Sequence, residues 1–352
     1  MGKPNTRFFR SRDKGEVGLP PTRYSVLCGW GAAAVAILVW GVTFANTRVL
    51  LEDFSALEIN ILRFGLAWLV LWGGAVVDKC GRRWNAAPTM CAALGGGRPG
   101  TAVSPLVFLL MGLTGVAAYQ FLENCAIYYT NACNVAILVS FGPIVTAVMA
   151  RLWTKDRSLS LRLVLGSFVA VLGAAFVAFN GVYEFDFHPL GDLMILAAVF
   201  CWGVYSLLVD HVNRLGIDPL VAVRKSFGWS LLMMLPLAAW GATDSGYVAL
   251  DGSCSVTLAL AANAERFASL ANWTNLAFLG VMASAASFVL WNKACERLGV
   301  VKTSVGLYLT PIVGVAFAVA FLGERVTAMT ALGGVLILGG VAVAIMKVRR
   351  SK

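Results

Sequence analysis

Two charged side chains stand inside long apolar stretches of the sequence, where a charge is energetically costly. Arg63 lies within INILRFGLAWLV, and Glu123 lies within YQFLENCA. A charged side chain at the centre of a membrane helix costs about 2.5–3.5 kcal/mol on insertion scales. A guanidinium can bind a carboxylate, and a buried acid can take up and release a proton. The alternative for both residues is pairing between helices or snorkelling toward an interface.

A second cationic position follows Arg63 by 162 residues. Lys225, next to Arg224, occupies the corresponding part of a later apolar stretch. Lys225 is therefore a candidate partner for Arg63 in binding an anionic group. Since Lys225 stands near the start of its stretch, the alternative is that its ammonium reaches the membrane headgroups.

Polar and aromatic side chains recur at the middle levels of the apolar stretches. Trp40, Thr43 and Asn46 follow one another at helical spacing and so share a face. Aromatic rings with a few polar groups are typical of a small-molecule site. The alternative is hydrogen bonding between packed helices and anchoring at interfaces. The further candidates lie on five other apolar stretches: Tyr119, Gln120, Asn124, Ser140, Trp202, Tyr205, Ser284, Ser287, Trp291, Ser304 and Tyr308.

The elements that must position these residues are membrane-spanning helices. Hydrophobic residues make up 59% of the 352 residues and charged residues only 13%, a composition that excludes an ordinary soluble domain. Apolar runs of about 18 residues or more indicate transmembrane helices. Ten such runs, called spans 1 to 10 in chain order, are predicted at 24–49, 58–77, 105–127, 133–152, 161–180, 190–212, 218–240, 273–294, 302–322 and 328–347.

The net charge of +10 is concentrated on one side of the predicted spans. If ten spans alternate in direction, most of the basic residues lie on the same side of the membrane. They stand before span 1, between spans 2 and 3, between spans 4 and 5, and after span 10. By the positive-inside rule we predict a multi-pass protein of the cytoplasmic (inner) membrane, with both termini in the cytoplasm. Because the bases are dispersed over several loops, they form no nucleic-acid-binding face, and we expect no nucleic-acid partner.

Residues suited to catalysis or metal binding are scarce. Only His188 and His211 exist, at opposite ends of one predicted span, and the eight cysteines show no metal-binding spacing. No hydrolase, zinc-protease or phosphate-transfer motif is present. The sequence therefore predicts no enzyme activity, no metal and no cofactor. Most cysteines lie in predicted spans or cytoplasmic loops, where thiols stay reduced, so no external disulfide framework is expected.

An internal repeat relates the two halves of the chain. FGPIV and LTPIV place Pro143 and Pro311 168 residues apart, and the dipeptide WG recurs at Trp40 and Trp202. A proline inside a helix removes a hydrogen bond, and in lipid the freed groups need another partner. We predict two five-helix repeats over 24–180 and 190–347, flanked by a basic segment 1–23 and a tail 348–352. Because five is odd, the second repeat must be inverted relative to the first.

Four stretches carry a resemblance to a known family. They are WGVTF in span 1, LRF in span 2, AIYYTNACNVAILVSFGPIV leading into span 4, and PIVGVAFAVAFLGERVTAMTALGGVLILGGVAVAI over spans 9 and 10. In these the sequence resembles the EamA-type branch of the drug/metabolite transporter superfamily. The resemblance implies an all-α polytopic membrane protein with ten transmembrane helices in two inverted repeats. It also implies a substrate cavity between the halves, and kinks at Pro143 and Pro311 in two gating helices.

The function expected from the resemblance is secondary transport, with export of amino acids or related small metabolites by alternating access. Arg63 suits a carboxylate, and the aromatic residues suit an apolar body. One alternative is export of lipophilic cations or drugs, with Glu123 and the aromatic residues as the site. Another is a membrane scaffold without transport. The expected partners are a small-molecule substrate and the lipid bilayer, and a homo-oligomer is left open.

Energy coupling depends on Glu123, the acid placed most firmly inside a predicted span. A carboxylic acid in a low-dielectric site holds its proton more readily than one in water. Glu123 would then alternate between protonation and pairing with the substrate or Arg63. Since span 3 runs outward, Glu123 lies about one turn from the external surface, where it would stay hydrated. Proton coupling and an uncoupled carrier therefore both remain open.

Two connections are longer than the family usually has. Residues 78–104 predict a flexible cytoplasmic connection. Residues 241–272 predict an external loop in which Leu260, Ala264, Phe267 and Leu270 recur at the spacing of a short helix on the membrane surface. Asn272 begins an NWT glycosylation sequon, but it adjoins a span, which favours a chance match.

The topology is testable with single cysteines in an otherwise cysteine-free chain. We expect Lys14→Cys and Ser351→Cys to resist an impermeant thiol reagent added outside intact cells, because both termini are predicted to be cytoplasmic. Retaining only Cys254, in the predicted external loop, gives the matched control that should be labelled. External labelling at position 14 or 351 would contradict the topology.

Overall fold

The structure is a computed structural model in which helices account for nearly all of the described residues. It describes residues 23–85, 103–130, 132–153, 160–179, 188–241, 264–322 and 326–346. The chain from spans 1 to 10 forms the helices Arg23–Leu50; Ala56–Asn85; Pro105–Gly112, Leu113–Ala118 and Tyr119–Tyr129; Ala132–Val139 and Gly142–Trp153; Leu161–Phe179; Pro189–Arg214; Pro219–Gly241; Leu270–Ala277, Phe278–Ala286 and Ser287–Leu298; Val300–Val305, Gly306–Leu309 and Thr310–Leu322; and Ala328–Ile345.

The ten predicted spans are confirmed by the structure. Among the described residues, ten helical segments are long and apolar enough to cross a membrane, and their ends agree with the predicted ends to within a few residues in most cases. Within the described residues there is no strand. The helix of span 2 continues to Asn85, so the first part of the predicted connection 78–104 prolongs that helix instead. The fold is therefore an all-α polytopic membrane protein.

Spans 4 and 9 are each broken near the middle, just before the two repeated prolines. Span 4 leaves the helical conformation at Ser140 and Phe141, and span 9 tightens to a 3₁₀ turn over Gly306–Leu309. Pro143 and Pro311 then occupy the second residue of the helix that follows. In the first turn of a helix a proline loses no hydrogen bond, because that N–H has no helical partner anyway. The prolines thus begin new half-helices; their role in gating stays a prediction.

Spans 3 and 8 carry a second matched irregularity. Each contains a π-helical segment, and the two segments end 168 residues apart, at Ala118 and Ala286. π-helical segments inside α-helices are frequent at functional sites. Side chains bind the backbone carbonyls of the second segment: Trp40 Nε1 donates to Ala283 at 2.9 Å, and Ser287 Oγ donates to Met282 at 2.8 Å. The irregular backbone is therefore hydrogen-bonded within the protein, as a membrane environment requires.

The packing of the spans follows the predicted repeat. Span 1 packs against spans 8 and 9, and span 2 packs against span 8. The corresponding spans of the other repeat make the same contacts: span 6 packs against spans 3 and 4, and span 7 packs against span 3. Three pairs of spans at matching positions in the two repeats also pack against each other: 2 with 7, 4 with 9, and 5 with 10. This pattern supports two repeats of five helices, and the inversion of the second repeat stays a prediction.

The glycines of the two WG dipeptides explain one part of this packing. Gly41 lies against Val313 of span 9, so closely that a Cβ there would overlap the valine. Gly203 lies in the same way against Val145 and Met149 of span 4. Val145 and Val313 are themselves 168 residues apart. Glycine at interfaces of this kind lets membrane helices approach closely.

At the end of the bundle predicted to be external, the segment before span 8 is fixed to the connection between spans 1 and 2. Arg266 forms a salt bridge with Glu58 at 2.8 Å, and their side chains are only 7% and 2% exposed. Arg266 also donates to the Asp53 carbonyl at 2.9 Å and lies over the Phe54 and Phe267 rings. Glu58 in turn accepts from the Ser55 backbone N–H at 2.9 Å, in a capping arrangement.

This contact corrects the prediction for the external loop. In the part of 241–272 that the structure describes, Ala264–Ala268 forms a 3₁₀ turn packed onto the protein, and Leu270 begins span 8. The predicted membrane-surface helix is therefore wrong for these residues, because Arg266 finds a buried acid instead; Leu260 lies outside the described residues. Asn272 is buried and donates to Asp53 Oδ2 at 2.7 Å, which agrees with a chance sequon match.

One cysteine prediction is also wrong. Cys125, buried in span 3, is disulfide-bonded, although it was expected to stay reduced like the other cysteines of the spans. Cysteine spacing alone does not reveal such a pair, because disulfide formation depends on two cysteines meeting in space. Cys28, Cys201 and Cys295 are free, as expected.

The Glu58–Arg266 pair yields a stability prediction. We expect Arg266→Ala to destabilise the protein by about 3–5 kcal/mol, because it leaves the Glu58 carboxylate buried without its partner. The matched control is Arg214→Ala, which breaks a 2.6 Å pair with Asp210 whose side chains are 50% and 17% exposed. The control should cost about 0–1 kcal/mol. Thermal unfolding in detergent measures both, and equal losses would contradict the prediction.

Candidate functional site

Arg63 is the centre of a buried polar cluster between spans 2, 3 and 8. Its side chain is 4% exposed, so the guanidinium needs partners inside the bundle. Nε donates to Ser284 Oγ of span 8 at 2.6 Å, and one terminal nitrogen donates to Gln120 Oε1 of span 3 at 2.8 Å. Both contacts are to neutral oxygens. Arg63 is therefore held by hydrogen bonds that an anionic group could replace.

Glu123 lies in the same cluster, three residues after Gln120 and on the same face of span 3. It is 9% exposed, and its Oε1 accepts a hydrogen bond from the Tyr119 hydroxyl at 2.9 Å. Gln120, which accepts from Arg63, lies one helical turn before Glu123, so the two charged side chains share one buried cluster. The expectation that Glu123 stays hydrated near the surface is therefore corrected: neighbouring helices cover it.

A second polar contact joins spans 2 and 3 one turn further toward the predicted external end. Asn124 Nδ2 donates to Asn60 Oδ1 at 3.2 Å, and both side chains are buried. Asn124 was a sequence candidate, whereas Asn60 was not. Asn60 precedes Arg63 by three residues, which is the helical spacing that could have identified it.

The aromatic candidates form one cluster beside the polar one. The Trp40 ring lies 5.8 Å from Trp202, 5.2 Å from Trp291 and 5.7 Å from Phe288, measured between ring centroids. Tyr119 lies 5.2 Å from Trp202 and so links this cluster to Glu123. The tryptophans of the two WG dipeptides thus meet each other. Because the rings are in contact, a substrate can enter only if they separate.

Two polar groups are embedded in this aromatic cluster. The Tyr205 hydroxyl accepts a hydrogen bond from Asn292 Nδ2 at 2.9 Å, and the Tyr205 ring lies 5.3 Å from Trp202. The Trp202 indole N–H is buried and finds no acceptor among the described residues. A buried donor without an acceptor is costly, so it suits a group that only a bound molecule satisfies.

Several candidates lie elsewhere. Lys225 is exposed, and its ammonium lies over the Phe108 ring at 4.8 Å; its partnership with Arg63 stays a prediction. Two residues at corresponding positions of two repeats need not lie on corresponding helix faces, because a shift of one residue rotates the side chain by about 100° around the helix axis. Asn46 instead bonds Asn275 at 2.6 Å. The remaining candidates bind local backbone carbonyls or pack in the core: Thr43, Ser140, Ser287, Ser304 and Tyr308.

One polar cluster was not anticipated. Asp192, near the start of span 6, is buried and accepts from Thr130 Oγ1 at 2.6 Å and from Asn134 Nδ2 at 3.2 Å. It also accepts from the His188 backbone N–H at 3.3 Å, which makes it a helix-capping residue. Within the described residues there is no group of three or more histidine, cysteine or acidic side chains that could hold a metal ion.

The family is decided by a comparison with family models. The model of the EamA-like transporter family matches residues 28–179 and again residues 189–346. The chain belongs to the EamA-like transporter family. Two successive matches agree with the two predicted repeats. This EamA-like protein is accordingly a multi-pass membrane transporter and not an enzyme.

Similar proteins carry transporter names. A "Probable terminal-alkyne amino-acid exporter" of Streptantibioticus cattleyicolor is 27% identical over 88% of this chain and 91% of its own length. A "Probable amino-acid metabolite efflux pump" of Escherichia coli is 25% identical over 91% of this chain and 95% of its own. A solved crystal structure shares the fold with a TM-score of 0.66 over 92% of this chain and 96% of its own, at 19% identity.

Proposed function

We propose that this EamA-like transporter exports amino acids or related small metabolites across the cytoplasmic membrane by alternating access, with both termini in the cytoplasm. The observation that carries the proposal is a buried cation and a buried acid in one polar cluster. Arg63 donates to Gln120, Glu123 lies one turn further along the same helix face, and Tyr119, which donates to Glu123, contacts Trp202 of the aromatic cluster. Family membership disfavours a scaffold without transport.

The two charges are complementary to an amino-acid zwitterion. The substrate carboxylate would replace Gln120 or Ser284 at Arg63, and the substrate ammonium would pair with Glu123. Charge-assisted hydrogen bonds are stronger than the neutral ones that they replace. An apolar side chain of the substrate would then lie among the separated aromatic rings, and the Trp202 N–H would gain an acceptor.

The helix packing is compatible with alternating access. Spans 1, 2, 8 and 9 pack with one another, as do spans 3, 4, 6 and 7. The hydrogen bonds between side chains that cross between these groups include Arg63 to Gln120, Asn124 to Asn60, and Asn292 to Tyr205. In this proposal the first two open on one side of the membrane and the third opens on the other.

The names of these two relatives support an amino-acid substrate, since both refer to amino-acid export or efflux. The second candidate is a lipophilic cation, which Glu123 and the aromatic cluster would bind without help from Arg63. A carboxylate substrate needs Arg63, whereas a cation does not. The two candidates therefore differ in their dependence on one residue.

Arg63→Gln separates the two candidates. We expect this variant to lose amino-acid flux in proteoliposomes, with at least about a tenfold weaker apparent affinity, because a charged hydrogen bond of roughly 1.5–3 kcal/mol is removed. Arg63→Lys is the matched control, since it keeps the charge, and part of the flux should remain. Unchanged amino-acid affinity in Arg63→Gln would exclude carboxylate binding, and intact flux of a lipophilic cation alone would favour the second candidate.

Proton coupling follows if Glu123 binds either a proton or the substrate ammonium. Competition at one carboxylate would exchange protons for substrate, which is antiport. We expect an imposed pH gradient to drive flux in the wild-type protein, and we expect Glu123→Gln to abolish this drive while downhill exchange persists. Tyr119→Phe, which removes only the hydrogen bond to Glu123, should keep the drive. A pH-driven flux undiminished in Glu123→Gln would exclude Glu123 from coupling.

A further inference from the structure

Two adjacent cations on span 7 play no part in the candidate site. Arg224 and Lys225 lie about 8 Å along the helix from its first residue, Pro219, by the rise of 1.5 Å per residue. Span 7 begins at the end of the bundle that the charge distribution predicts to be cytoplasmic. The two cations therefore lie at the depth where a membrane helix passes from headgroups into hydrocarbon.

Each cation rests on an aromatic ring of a different neighbouring helix. The Arg224 guanidinium carbon lies 4.4 Å from the Trp72 ring centroid of span 2. The Lys225 nitrogen lies 4.8 Å from the Phe108 ring centroid of span 3. Span 7 thus presents its cations on either side, toward spans 2 and 3. The rings hold the two side chains in place and leave their N–H groups free for an anion.

The surface around these cations is apolar and faces outward. Trp72 is 44% exposed, and Leu69 on the preceding turn of span 2 and Leu106 at the start of span 3 are also exposed. Exposed apolar side chains of this kind on a membrane helix are contacts for lipid chains. A molecule that reaches both cations must therefore have a charged part and an apolar part.

Neither cation has an acidic partner in the part of the chain that the structure describes. The salt bridges found there are those of Arg214 with Asp210 and of Arg266 with Glu58. An arginine and a lysine without a carboxylate, close to a membrane interface, attract negative charge. The charge of this site is complementary to a phosphate and opposite to that of a cationic substrate.

We propose that Arg224 and Lys225, seated on Trp72 and Phe108, bind the headgroup phosphate of an anionic phospholipid in the surrounding leaflet. The guanidinium would bind two phosphate oxygens and the ammonium a third. The acyl chains would lie along the exposed faces of spans 2 and 3. A bound lipid would bridge spans 2, 3 and 7, which belong to both of the helix groups described above.

Native mass spectrometry tests the proposal directly. The full-length protein in detergent is titrated with dioleoylphosphatidylglycerol and, separately, with dioleoylphosphatidylcholine. We expect one phosphatidylglycerol to be retained in preference to phosphatidylcholine. In the double variant Arg224→Gln with Lys225→Gln the apparent affinity for phosphatidylglycerol should fall by about tenfold or more, as expected for lost charge-assisted bonds. Phosphatidylcholine binding should be unaffected.

Lys302→Gln is the matched control, because Lys302 is an exposed cation near the same predicted end of the bundle. It should bind phosphatidylglycerol like the wild type. Lys225→Gln alone should weaken binding severalfold, and it decides the question if the double variant does not fold, since Lys225 is exposed. Equal retention of the anionic lipid by the variants, or equal binding of the two lipids, would overturn the proposal. If inorganic phosphate at constant ionic strength displaced the lipid, the proposal would also be overturned, and the site would be one for a soluble anion.

Discussion

Burial of the Arg63 charge is the constraint on which the centre of this structure depends. A guanidinium inside an apolar bundle is tolerated only when its N–H groups are hydrogen-bonded and its charge is balanced nearby. Span 8 supplies Ser284, span 3 supplies Gln120, and the buried acid Glu123 lies one turn beyond Gln120. Three helices from both repeats therefore meet at one side chain. The same contacts that make the charge tolerable also create a site that can recognise a charged solute.

Irregular backbone is the second feature that surrounds this site. Spans 3 and 8 pass through π-helical segments, and spans 4 and 9 are each broken before a proline. In a membrane such features persist only where protein groups satisfy the freed carbonyls, as Trp40 and Ser287 do in span 8. The four irregular helices are equivalent pairs. Irregular backbone is thus present in both halves of the transporter, on helices that carry residues proposed to bind the substrate.

A buried salt bridge holds spans 1, 2 and 8 together away from this site. At the predicted external end, Arg266 joins Glu58 and two aromatic rings in a buried contact that ties spans 1, 2 and 8 together. These spans also share a long interface in the bundle. The side-chain hydrogen bonds that cross to the other group of spans join neutral amides, a hydroxyl and Arg63. They can exchange partners at smaller cost than a buried ion pair can be broken.

The sequence by itself determined the ten spans, the all-helical class and the family, and it predicts the repeat, because apolar length and matched motifs are properties of the chain that do not depend on distant contacts. It also identified Arg63, Glu123, Trp40 and Trp202. Only the tertiary structure decided that Lys225 faces outward, that Asn60 and Ser284 complete the polar cluster, that Arg266 is buried, and that Cys125 is disulfide-bonded. The physical reason is that the face of a membrane helix that meets a given neighbour is set by packing between side chains far apart in sequence. Hydropathy is the same for a residue that faces lipid and for one that faces another helix.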